Sequence, residues 1–156
     1  MNYLLIPLSL LVGMIADNLA LPLDVAQFRP DFTLLILIYW VLMMPRLAGI
    51  GTAWVVGLLQ DTLSGGWLGL HAFTKSLLAY FTLRLHLQIQ IFPPWQQMAI
   101  ILFYSYLEHV FVWLVRSAWV PTSLQMSDFI QPLTTALFWP LVFLALSAVK
   151  RRAKLD

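Results

Sequence analysis

Apolar stretches follow one another so closely along this chain that little sequence is left for anything else. They run Tyr3–Leu21, Pro30–Met44, Leu47–Leu63, Leu68–Leu87, Trp95–Trp119 and Phe129–Val149. About 20 apolar residues cross a bilayer as α-helix. Six such stretches in 156 residues leave no room for a second, soluble domain. The expected fold class is therefore all-α: a polytopic membrane protein, a bundle of about six transmembrane helices, forming a single transmembrane domain over residues 1–156. A mean hydropathy of +0.83 lies outside the soluble range and agrees. The N-terminus has no basic leader and Asp17 interrupts its apolar run, so a cleaved signal peptide is not expected.

Each stretch carries its own marks. In the first, Ser9, Gly13, Ala16 and Ala20 give small-residue spacings that permit close helix approach. A polar loop, Pro22–Arg29, follows. The second stretch opens at Pro30, which suits a helix first turn, with Asp31 beside it near the positive helix N-terminus, and closes at Pro45. As a helix it measures about 22 Å, less than the ~30 Å hydrocarbon core. It must thin the bilayer or be shielded by neighbours. Tyr39 and Trp40 are expected at the interface. In the third stretch Gly49, Ala53, Gly57 and Asp61 recur at every fourth residue and share one face. Gly49, Ala53 and Gly57 make a helix-packing groove for an internal neighbour or a partner helix. The fourth carries His71, Lys75 and Arg84, and Pro93-Pro94 breaks the chain after it. The fifth is expected to be the longest, with Tyr104, Ser105, Glu108, His109 and Arg116 as a polar stripe. After a loop at Pro121–Asp128, the sixth contains Pro140, an expected kink.

Lys and Arg set the expected orientation. Arg46, Arg84, Lys150, Arg151, Arg152 and Lys154 fall on one side of a six-span topology, against Arg29 and Arg116 on the other. The positive-inside rule then puts both termini in the cytoplasm. The terminal basic cluster reads as membrane-adjacent, not as a nucleic-acid patch.

Charge within such a chain needs a reason, because only 10% of residues are charged and charge inside a bilayer is costly. The hairpin Val56–Ser76 turns at Ser64-Gly65-Gly66, with Gly69 just beyond. Asp61 and Lys75 flank this turn and are expected to form an ion pair, the lysine stem snorkelling outwards, or a helix-end cap that sets the hairpin geometry. Glu108, about 20 Å into its span, must be protonated or paired with Lys75, His109 or Arg116. Asp61, His71, Lys75, Glu108, His109 and Arg116 together form the expected intramembrane polar network. His71 and His109 lack metal-ligand spacing, and no metal or cofactor is expected. Without cysteine there is no disulfide, thiolate catalysis or Cys-ligated metal. Ser64, Ser76 and Ser105 lack a nucleophile motif, and Gly65-Gly66 is no phosphate loop. The chain is not expected to be an enzyme.

Two stretches resemble the rod-shape-determining protein MreD family of bacteria. Residues 29–45, RPDFTLLILIYWVLMMP, match its Pro-Asp pair, Tyr-Trp and closing proline through Arg29, Pro30, Asp31, Tyr39, Trp40 and Pro45. Residues 57–72, GLLQDTLSGGWLGLHA, match a second pattern through Gly57, Asp61, Gly65, Gly69 and His71, with Phe73 where leucine is expected. The resemblance implies a non-enzymatic inner-membrane subunit of the peptidoglycan elongation machinery. Its implied partners are an MreC-like single-span protein, the transpeptidase and glycosyltransferase of that machinery, the MreB filament indirectly, and membrane lipid, with no nucleic acid. The family also resembles in fold the substrate-binding subunits of energy-coupling-factor vitamin transporters. The alternative is such a subunit, with Lys75, Glu108 and His109 reading a polar small molecule.

Overall fold

The computed structural model describes residues 4–19, 28–65, 67–120 and 127–153. These form six α-helices: α1 (Leu5–Asn18), α2 (Phe32–Met43), α3 (Ile50–Ser64), α4 (Leu70–Ile91), α5 (Pro94–Ser117) and α6 (Ser127–Arg152). Among the described residues there is no strand. Most of the two expected loops, together with Ala20, Gly66 and Lys154, lies outside the described residues.

The shortest helix is the centre of the bundle. α2 has 12 residues, and all from Thr33 to Leu42 are buried. It is apolar all round, as a helix with no exposed face should be. α1, α4 and α6 pack about it; α3 lies along α4, and α5 along α6. Tyr39 and Trp40 are therefore not interfacial: both are fully buried. The Tyr39 hydroxyl lies 3.2 Å from Ser147 Oγ, and Trp40 Nε1 donates to Ser9 Oγ at 2.8 Å. Burying these rings in the core requires partners for their polar tips, and serines on α1 and α6 supply them.

Close approach is set by glycine. A Cβ on Gly13 would lie 2.8 Å from Ile36 Cδ1, so α1 sits tight on α2. A Cβ on Gly57 would lie 2.3 Å from Ala72 Cα and 2.6 Å from the His71 carbonyl oxygen. The groove of Gly49, Ala53 and Gly57 is thus filled by α4; Gly49 faces Leu83 of that helix, and Ala53 is fully buried. The groove is an internal seam and has no space for a partner helix. Gly65 and Gly69 adopt left-handed backbone (φ 61° and 103°), which lets the chain leave α3 and enter α4 within a few residues.

Helix lengths depart from six equal spans. Among the described residues, two helices are long and apolar enough to cross a membrane alone, Pro94–Ser117 and Asp128–Arg152. α1, α2 and α3 have 14, 12 and 15 residues, or about 18–23 Å. α4 has 22 residues but carries His71, Lys75, Arg84 and His86. α6 is the longest helix, at 26 residues, and runs without a break through Pro132 and Pro140. The bundle has two distinct ends. Arg46, Arg84, Lys150, Arg151 and Arg152 mark the basic end, where Gln97 Nε2 donates to the Ile89 and Phe92 carbonyls and Trp139 Nε1 donates to Gln97 Oε1. The opposite end holds the ion network.

Candidate functional site: a buried ion network beneath a polar cavity

Three aspartates at the end away from the basic cluster each cap a helix N-terminus. Asp17, on the last turn of α1, accepts from the backbone N–H groups of Phe32 and Thr33 at 2.9 Å each, and from the Thr33 hydroxyl. Asp31 caps α2 from Leu34 N at 2.7 Å. Asp61, on the last turn of α3, crosses the glycine turn to α4. It accepts from Gly69 N, His71 N and Ala72 N at 2.8, 3.0 and 3.3 Å, and lies 2.9 Å from His71 Nδ1. The first amides of a helix have no intrahelical acceptor and sit at its positive end, so a carboxylate there is both bonded and electrostatically favoured.

This arrangement corrects the expected Asp61–Lys75 pair. The Asp61 carboxylate is taken up by the N-terminus of α4 and by His71. Lys75 points the other way, into the bundle, instead of snorkelling. Its Nζ donates to Glu108 Oε1 at 3.0 Å, to Glu108 Oε2 at 3.3 Å and to Asp31 Oδ2 at 3.3 Å. Lys75 is 0% exposed, Glu108 3% and Asp31 8%. The triad ties α4 to α5 and α2. Asp31 N also donates to Thr135 Oγ1 at 3.0 Å, which fastens α6 to the same point.

Of the residues expected in one polar network, the structure joins Lys75 to Glu108 and, separately, Asp61 to His71. His109 stands beside them, its Nδ1 donating to the Ser105 carbonyl at 2.9 Å and its Nε2 3.2 Å from Gln131 Oε1. Asp31, Asp17 and Thr135 complete the assembly. Sequence reading placed Asp31 at the N-terminus of the second helix and in a family motif, where it does cap α2, and Asp17 only as an interruption. The available signal was the carboxylate itself: an acid within an apolar run needs a partner, and a helix N-terminus is the nearest one.

Above the triad lies a polar cavity of about 460 Å³. Its walls come from the same end of all six helices and include Asp17, Asp31, Gln60, His71, Glu108, His109, Trp113, Arg116 and Gln131. Lys75, fully buried, lies behind Asp31 and Glu108 and is not among its lining residues. A second, apolar groove of about 390 Å³ runs between α1 and α3, lined by Leu10, Met14, Val55, Val56 and Leu59 among others. Among the described residues no cluster of three or more His, Asp or Glu side chains is arranged to hold a metal ion.

The family model described as rod shape-determining protein MreD matches residues 1–149. The rod shape-determining protein MreD of Haemophilus influenzae is 26% identical to this chain over 134 residues, covering 86% of this chain and 83% of that one. No solved structure matches the chain.

Proposed function

Because the chain belongs to the rod shape-determining protein MreD family, we propose that it is a multi-pass inner-membrane subunit that helps maintain rod shape by holding the transmembrane helices of partner proteins. One observation carries the membrane part of this reading. Apolar side chains cover the outside of the bundle while several polar and charged ones lie within it: Leu8, Val12, Val55, Leu63, Phe103, Leu114, Leu137 and Leu144 face outwards, and Asp31, Asp61, Lys75, Gln97 and Glu108 are buried. Exposed apolar surface spread over a whole bundle needs lipid or other helices against it. The short helices α1, α2 and α3 then cross with their neighbours' help, α2 wholly shielded by protein. The basic end lies in the cytoplasm and the polar cavity opens on the outer side.

The reading is non-catalytic. The partners are those of the elongation machinery: an MreC-like single-span protein, the peptidoglycan transpeptidase and glycosyltransferase, and MreB indirectly. With the small-residue seam occupied by α4, the seat for an MreC-like helix moves to the open apolar groove between α1 and α3. A Val55→Trp, Leu59→Trp double variant, both exposed residues of its wall, fills that groove. It is expected to stay folded in detergent, to lose co-purification of the MreC-like protein, and to leave cells round when it replaces the wild-type chain. A folded variant that keeps its partner and supports rods removes the groove from the proposal. Rod shape that survives deletion of the whole chain removes the functional reading itself.

A further inference from the structure

The polar cavity is graded in charge from floor to rim. At the floor, Asp31 and Glu108 face one ammonium, Lys75, behind them. Two carboxyl groups against one cation leave one of them without a full countercharge, in a place where unbalanced charge is expensive. The α2 amides also engage Asp31 through Leu34 N, and the wall carboxylate of Asp17 through Phe32 N and Thr33 N. At the rim the balance reverses. Among the described lining residues there, Arg116 is exposed and Arg29 half-buried, against one acid, Asp128, and Arg29 already donates to the Leu19 carbonyl at 3.0 Å.

Two further atoms want partners. Gln60 Oε1 on α3 and Trp113 Nε1 on α5 are buried without a hydrogen bond, and both side chains line this cavity. One is an acceptor and the other a donor, from different helices. Buried polar atoms are nearly always satisfied in native proteins, by ordered water or by an occupant with both functions. The volume suits one. About 460 Å³ falls within the usual range for small-molecule sites and far exceeds the ~30 Å³ share of one water.

We propose that this cavity binds an ammonium-bearing zwitterion, its ammonium on Asp31 and Glu108 and its anionic group at Arg116 and Arg29. Gln60 and Trp113 hydrogen-bond the atoms between. This is the chemistry of an ethanolamine phospholipid headgroup, and equally of free phosphoethanolamine. The ammonium supplies the positive charge that the floor lacks, and the rim arginines then meet the phosphate with directional donors.

The test uses the full chain in nanodiscs of phosphatidylethanolamine mixed equally with phosphatidylglycerol, with retained lipid read by native mass spectrometry after detergent release. Retention of phosphatidylethanolamine is expected to exceed that of phosphatidylglycerol about tenfold, the scale of one charge-assisted hydrogen bond. Arg116→Gln should abolish that preference while leaving thermal unfolding unchanged, because Arg116 is exposed and outside the triad. Glu108→Gln should abolish it as well. Arg84→Gln, at the basic end, should leave it intact. Added phosphoethanolamine separates the sources: a rise in melting temperature in a lipid-free micelle assigns a soluble zwitterion, and lipid preference without that rise assigns the headgroup. Equal retention of the two lipids with no response to phosphoethanolamine overturns the proposal. So does a preference that survives Arg116→Gln in folded protein.

Discussion

Lys75 and Glu108, on adjacent helices and 33 residues apart, meet at 3.0 Å with neither side chain open to solvent. The lysine simultaneously holds Asp31 at 3.3 Å, so one ammonium joins three helices. Removing it strands two carboxylates in a low-dielectric interior. Breaking a buried pair from one side costs about 3–5 kcal/mol. Lys75→Met should therefore yield little folded protein. Glu108→Gln should be milder, since Lys75 keeps Asp31 and the amide oxygen still accepts. The exchange Lys75→Glu with Glu108→Lys should recover part of the loss. Folded yield and melting temperature in detergent measure all three, and an exchange no better than Lys75→Met would mean that Asp31, not Glu108, is the lysine's necessary partner.

Asp61 has a different job and should answer differently. Its carboxylate accepts three backbone N–H groups at the start of α4. Asp61→Ala removes every one of these acceptors, and the loss should reach the upper end for a helix cap, about 2 kcal/mol. Asp61→Asn keeps one oxygen and should lose less. Lys75→Met and Asp61→Ala act on separate networks, so their effects on melting temperature should add. Strong coupling between them would restore the direct Asp61–Lys75 link that the structure replaces with two separate networks.

How much of this could be read from the residues follows from what each signal depends on. The six helices were legible because apolar runs bounded by Pro and Gly need no tertiary knowledge; Pro30, Pro45 and Pro93-Pro94 lie at or near helix boundaries. The family was legible through residues 29–45 and 57–72. Partner choice was not. Asp61 and Lys75 sit close in sequence, but the amides of α4 and His71 take up Asp61, and Lys75, one turn deeper, meets Glu108, which arrives from 33 residues away. Tyr39 and Trp40 misled for a similar reason. Interfacial placement assumed that α2 crosses lipid, whereas neighbours surround it on every side. The use of the Gly57 face depended on which helix arrives there, and periodicity alone carries no such information.

The chain has no cysteine, which makes its topology directly testable. Trp119 is 71% exposed just past α5, and Arg152 is exposed at the end of α6. With the basic end inside, a membrane-impermeant thiol reagent should label Trp119→Cys in intact spheroplasts. Arg152→Cys should react after lysis and not before. Labelling of Arg152→Cys in intact spheroplasts would reverse the orientation, and would also move the polar cavity to the cytoplasmic side.

The sharpest packing test is Gly57, because its neighbours are backbone. An added Cβ would stand 2.3 Å from Ala72 Cα and 2.5 Å from Ala72 N. Neither atom can rotate away, so α3 and α4 must separate along their whole seam. That separation would also pull Asp61 from the amides that it caps, four residues along the same face. Even Gly57→Ala should therefore lower folded yield severely, although alanine is the better helix former by up to about 1 kcal/mol. Gly51, on the same helix, is the control: a Cβ there meets nothing within 4 Å. Gly51→Ala should be neutral or slightly stabilising, by the same propensity that Gly57→Ala cannot use. Melting temperatures of the two variants in one detergent separate packing from propensity. Matched, wild-type-like values would mean that α3 and α4 do not meet at Gly57, and the seam assigned here would be wrong.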